Sequence, residues 1–188
     1  VARGVTRRLG AAVLGLALLA PLAGCGGRGG RDFTADDVMF LQMMVAHHGE
    51  GVRIARLARD RPARPQVRTL AAAIETTQVN EIQTMAGWLR ERRQPPVADP
   101  RGHAAHGGMP ATGERAVKAL ERERGAAFER RFLNVLIAHQ DDAVQMARAE
   151  LGKGGNAFAR DLAGRVERSR TAQIRQMRAF LDHPPVTG

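Results

Sequence analysis

The chain has 188 residues and a formal net charge of +10, with 44% hydrophobic but only 4% aromatic residues. That length suits one domain with a sizeable core, and a single cysteine excludes a disulfide framework. The charge specifies no nucleic-acid partner: arginine far outnumbers lysine, which occurs only at Lys118 and Lys153.

The first 24 residues read as an address. Arg3, Arg7 and Arg8 form a basic start, an apolar run covers Ala11 to Ala20, and Leu22-Ala23-Gly24-Cys25 follows. Small residues before a cysteine, directly after such a run, are the pattern of a bacterial lipoprotein signal peptide. The run is too short for a comfortable transmembrane helix. The expectation is cleavage after residue 24, lipidation of Cys25, and a flexible Gly-rich tether over residues 25–33. The protein then works outside the cytoplasm, attached to a membrane through its N-terminal lipid. Loss of the three leader arginines lowers the net charge from +10 to +7.

The rest of the chain is helical in pattern. Thr34 is a good N-cap with Asp36 and Asp37 in the first turn, opening a helix from about Ala35 to Arg59. Pro62 and Pro65 punctuate a turn, and a second helix runs from about Gln66 to Arg92, ahead of Pro95-Pro96. A linker rich in Gly, Pro and His occupies residues 94–113. A short helix covers Glu114 to Arg122, a third long helix spans about Ala126 to Leu151, and Asn156 caps a fourth that ends near His183-Pro184. Strand signals are weak throughout.

Two of these helices repeat each other at an offset of 92 residues. FLQMMVAHHGEGVRIAR, from Phe40 to Arg56, matches FLNVLIAHQDDAVQMAR, from Phe132 to Arg148. The same offset pairs Ile82 with Ile174, Met85 with Met177 and Leu89 with Leu181. Each hairpin alone exposes an apolar stripe, so docking the two buries both. The predicted fold is all-α: a ferritin-like four-helix bundle over residues 34–182, built from two repeated helical hairpins, 34–93 and 114–182.

The inward stripes are interrupted by polar groups at matching levels. Helix one presents Asp37, Phe40, Met44, His47, Gly51 and Ile54. The third long helix answers with Glu129, Phe132, Leu136, His139, Ala143 and Met146. On the partner helices, Thr77 and Glu81 match Ser169 and Gln173, followed by Met85 and Met177. A buried polar group must be paired or it is costly, and two readings compete. In one, His47 bonds Glu81 and His139 bonds Gln173, a purely structural network suited to a non-metal interaction module. In the other, imidazoles and thioethers hold a soft ion: Met43 and His47, like Met44 and His48, lie four residues apart on one face. Thioether plus imidazole selects soft or borderline ions, copper in its lower oxidation state first. The linker adds His103, His106 and Met109, three potential ligands at even spacing. No Glu-x-x-His occurs, so the usual di-iron ligand set of carboxylate bundles is missing. No zinc-protease, nucleophile-elbow or phosphate-loop motif is present.

FLQMMVAHHGEGVRIA followed by QVNEIQTMAGWL resembles the domain-of-unknown-function family 305, from about Asp36 to Leu181. The resemblance implies a ferritin-like four-helix bundle, commonly exported, with some members linked to copper binding or resistance and no firm enzymatic activity. Repeat one keeps the pattern through Met44, His47, His48, Gln78, Glu81 and Met85. Repeat two keeps His139, Met146 and Met177, but Leu136 replaces a methionine and Gln140 the second histidine. The expectation is a non-catalytic, envelope-anchored protein that buffers or traffics copper. Its ligands are Met44, His47, His48, Glu81 and Met85, with His139, Met146 and Met177 as a second set, and it exchanges the ion with a donor or acceptor protein. If only one site survives, it centres on His47 and His48.

Overall fold

The computed structural model describes residues 33–59, 61, 63–97 and 114–183. The expected leader, Cys25, and the linker ligands His103, His106 and Met109 lie outside the described residues. Among the described residues there are five helices: α1 (Ala35–Arg56), α2 (Pro65–Glu91), α3 (Glu114–Arg122), α4 (Gly125–Lys153) and α5 (Ala157–Asp182). The four long ones form two hairpins, α1/α2 and α4/α5, docked mainly through α1 against α4. Among the described residues there is no strand, and no helix is long and apolar enough to cross a membrane. The bundle is the one the repeat predicts.

The helix ends follow from local chemistry. Thr34 caps α1 in a capping box: its hydroxyl accepts from Asp37 N at 3.2 Å, and the Asp37 carboxylate accepts from Thr34 N at 2.5 Å. Asn156 caps α5 by accepting from Phe158 N and Ala159 N. Pro65 occupies the first turn of α2, where its missing N–H costs nothing. Helix α1 stops at Arg56, three residues before the sequence pattern suggests, because residues 57–59 already form a turn.

Two buried acids latch the hairpins together. Asp37, in α1, accepts from Gly155 N and Asn156 N, both at 2.9 Å, at the start of α5. Glu129, the residue 92 positions on, accepts from Arg64 N at 2.7 Å and Arg64 Nε at 2.6 Å, at the start of α2. Each hairpin therefore supplies a carboxylate to the helix N-terminus of the other, where the macrodipole favours negative charge. Arg64 also donates to the carbonyl oxygens of Phe180 and His183, both at 2.6 Å, closing the far end of α5.

The apolar core lies in two blocks. One joins Phe40, Leu41, Met44, Met85, Trp88 and Leu89 to Ala143, Met146, Leu162 and Val166. The other joins Ile54, Val67, Leu70 and Ile74 to Phe128, Phe132, Leu136, Ile174 and Met177. The start of α1 thus meets the end of α4, and the reverse, so the two helices run antiparallel. The residues between the blocks are polar.

Candidate functional site

The middle of the bundle is a buried polar layer. His47, His48 and Gln78 come from repeat one; their counterparts at the 92-residue offset are His139, Gln140 and Arg170. All six are buried, and Arg170 is wholly inaccessible. Glu81 and Gln173 complete the set at the edge of the layer. Gly51 makes room: a Cβ there would lie 2.2 Å from Gln78 Oε1 and 2.6 Å from His139 Nε2. Side chains fill the space that any larger residue would take.

The two histidines repeated by the duplication meet at the centre. Their rings stack with centroids 3.8 Å apart and planes 12° from parallel. Burial, the neighbouring His139 and His48 imidazoles and the Arg170 charge push His47 from its ordinary 6.5 down to about 2. Burial, with His48 and Arg170, pushes His139 down to about 3. Both are therefore neutral imidazoles, the form that carries a free lone pair. No side chain hydrogen-bonds to either ring nitrogen of His47 or to His48 Nδ1, and the His139 main chain is the one influence that raises the His47 value. Buried polar atoms in that state call for an explanation, of which an ion is one.

Around this pair the layer divides into a charged half and a neutral half. In the first, His48 Nε2 lies 2.7 Å from Glu81 Oε2, and Arg170 Nη2 donates to the same carboxylate oxygen. Burial pushes the Glu81 carboxyl up, but its bonds to His48 and Arg170 hold it below the ordinary range. An ionised carboxylate only accepts, so the His48 proton sits on Nε2 and Nδ1 is left with the lone pair. In the second half, Gln140 Nε2 donates to Gln173 Oε1 at 2.5 Å, and Gln78 Nε2 donates to Gln140 Oε1 at 3.3 Å. The geometry of repeat one is copied, with glutamine in place of both histidine and glutamate. The pair that duplication swaps most sharply is Gln78 against Arg170.

These contacts correct the predicted hydrogen-bond pairing. His48 rather than His47 meets Glu81, and Gln140 rather than His139 meets Gln173. Thr77 is not a layer residue, whereas the Ser169 hydroxyl accepts from Arg170 Nη1 at 3.2 Å at the edge of the layer. Thr77 bonds its own helix at Ala73 O, and the inward positions belong to Gln78 and Arg170 one residue on. Arg170 is the functional candidate the stripe reading missed, although its equivalence to Gln78 is visible in the repeat.

The expected ligands fall into three places. His47, His48, Glu81 and His139 share the layer. Met44 and Met85, both fully buried, belong to the apolar block on one side of it, one turn from His48 and Glu81 in their own helices. Met146 is in that block too, but two turns from His139. Met177 is in the opposite block, so the structure does not bring it to Met44 and Met85. Among the described residues no three His, Cys, Asp or Glu side chains are arranged to hold a metal ion. What the layer does offer is neutral imidazole nitrogen, the ligand type of soft and borderline ions, with the thioethers of Met44 and Met85 one helical turn away along the chain.

The sequence profile of the family described as Domain of unknown function (DUF305) matches residues 37–181. Among solved structures, a DUF305 protein from Streptomyces coelicolor assigned as secreted is 27% identical, with a TM-score of 0.70 over 76% of this chain and 89% of that one. A DUF305 fragment from Deinococcus radiodurans is 27% identical, with a TM-score of 0.69 over 81% of this chain and 99% of that one. CopM in its Cu(I)-bound form is 26% identical, with a TM-score of 0.65 over 78% of this chain and 95% of that one. CopM has also been solved with Cu(II) and with Ag. No protein of curated function matches this chain.

Proposed function

We propose that this chain, which belongs to the DUF305 family, binds a soft metal ion, copper first, at the central histidine layer and serves to buffer or traffic it. The observation that carries the reading is His47: a buried, neutral imidazole, stacked on a second one, with no side-chain partner on either nitrogen. The ligands are His47 and His48 through Nδ1, with Met44 and Met85 as thioether donors. Glu81 acts by orienting His48, as a carboxylate orients a metal-bound imidazole. His139 faces His47 across the stack and is the remaining candidate nitrogen. The likeness to CopM, solved with copper and silver, supports a metal ligand without fixing which residues bind it. The expected lipid on Cys25 and a place outside the cytoplasm complete the proposal, and a DUF305 relative assigned as secreted is consistent with it.

The test is a competitive Cu(I) titration against a colorimetric chelator under anaerobic, reducing conditions. Wild type competes at defined stoichiometry, and His47→Ala with His48→Ala abolishes tight binding while helical content stays largely intact. Unchanged affinity in that double variant would refute the assignment. One observation favours a rival: His48, Glu81 and Arg170 already form a bonded network without an ion. If the layer is only structural, metal leaves the melting temperature of the wild type unmoved.

A further inference from the structure

We propose that Arg170 sets the charge of the ion this layer accepts, favouring a monovalent soft cation over a divalent one. The inference rests on the metal-binding reading above and names the specificity of that same site.

Arg170 is the only described residue of the layer that brings a permanent positive charge, and none of its surface reaches solvent. A guanidinium is not deprotonated in proteins. Its counter-charge is Glu81, whose Oε2 accepts from both Arg170 and His48. The other members are neutral: three imidazoles and the amides of Gln78, Gln140 and Gln173. The layer is thus balanced before any ion enters, and an added cation is uncompensated. Desolvating an ion scales with the square of its charge, so a divalent ion is about four times as costly as a monovalent one of the same size. The guanidinium acts in the same direction. Arg170 Nη2 lies 3.4 Å from His48 Nε2, so an ion on the far nitrogen of that ring feels the positive charge across one imidazole. At about 7 Å and an effective dielectric of about 20, each further unit of ion charge weakens binding by on the order of 50-fold. The equivalent position in repeat one is the neutral Gln78, so the fold does not require a cation there. The neighbouring thioethers of Met44 and Met85 favour the ions that such a site leaves admissible.

The experiment measures Ag(I) and Zn(II) affinities of the purified chain by competition titration, in wild type, Arg170→Gln and Glu81→Gln/Arg170→Gln, all carrying Cys25→Ser so that no thiol competes for Ag(I). Arg170→Gln gives Arg170 the identity of its own repeat counterpart. It raises the Zn(II)-to-Ag(I) affinity ratio on the order of 50-fold. The double variant restores neutrality and returns the ratio to within a few-fold of wild type. Arg170→Leu, which has neither charge nor donor atom, carries the same expectation should Arg170→Gln not fold. An unchanged ratio in a protein that binds Ag(I), or a shift that survives in the double variant, overturns the inference and leaves metal binding standing. No Ag(I) binding by wild type overturns both.

Discussion

Glu150 offers the sharpest prediction. It sits on the last turn of α4 with almost no accessible surface, against Gly154, where a Cβ would lie 2.0 Å from its Oε1. Burial, a hydrogen bond to Asp37 and the negative charges of Asp37 and Asp36 push its carboxyl from an ordinary 4.5 up to about 8, opposed only by Arg160. Asp37 stays ionised: burial pushes it up, but the main-chain donors of Thr34 and Asn156 together with the Thr34 and Glu150 side chains hold it below its ordinary value. The native state therefore keeps a proton on Glu150 that the unfolded chain gives up. The resulting stability is complete below about pH 4.5 and is lost as the pH rises through about 8. At about 1.4 kcal/mol per pH unit, the loss is about 3 kcal/mol at pH 7 and up to about 5 kcal/mol at pH 9. Glu150→Gln replaces the protonated acid with an amide that donates to Asp37 at every pH. The variant is close to wild type at pH 5 and more stable by those amounts at pH 7 and 9. Guanidinium denaturation followed by circular dichroism at the three values measures it. An advantage for Gln that does not grow with pH refutes the argument.

Other outcomes follow from the same structure. His47 and His139 hold values of about 2 and about 3 in the native state against an ordinary 6.5, so the unfolded chain binds more protons below about pH 6.5. Stability is full above that value and falls below it, by about 2 kcal/mol per histidine at pH 5. With Glu150 acting in the other direction, thermal melts across a pH series peak near pH 6.5. Gly51→Ala drives a methyl into Gln78 and His139; overpacking of about 1–3 kcal/mol outweighs the gain in helix propensity, and ion binding falls with stability in the same titration. Glu129→Ala leaves Arg64 half-buried without its carboxylate and costs about 3 kcal/mol, read as a lower denaturation midpoint.

The repeat makes most of the fold legible, because a duplicated helical hairpin has few ways to bury two apolar stripes. Thr34 and Asn156 mark their helix starts by chemistry that acts within three residues. The layer is readable to within one residue. His48 and Gln78 lie beside His47 and Thr77, and a 3.6-residue period does not say which of two neighbours faces further inward. Arginine is expected at the surface, which is why Arg170 escapes a search for inward polar groups until its counterpart Gln78 is aligned. Met177 is misplaced for another reason. The two-fold relation that repeats Met85 as Met177 also sends them to opposite ends of the bundle. The latching role of Asp37 and Glu129 needs the turn of the other hairpin, a contact between residues more than 60 positions apart.

Those two latches have a consequence for how the molecule holds together. Neither hairpin owns a full set of end caps; each borrows a carboxylate from its sibling, and Arg64 of one ties down the last turn of the other. The halves are thus mutual cofactors in folding rather than independent modules. A nick between residues 97 and 114 should yield two fragments that reassemble, whereas either fragment made alone lacks the partner that finishes its helices. The covalent connection sets their local concentration, and the exchanged acids set their fidelity.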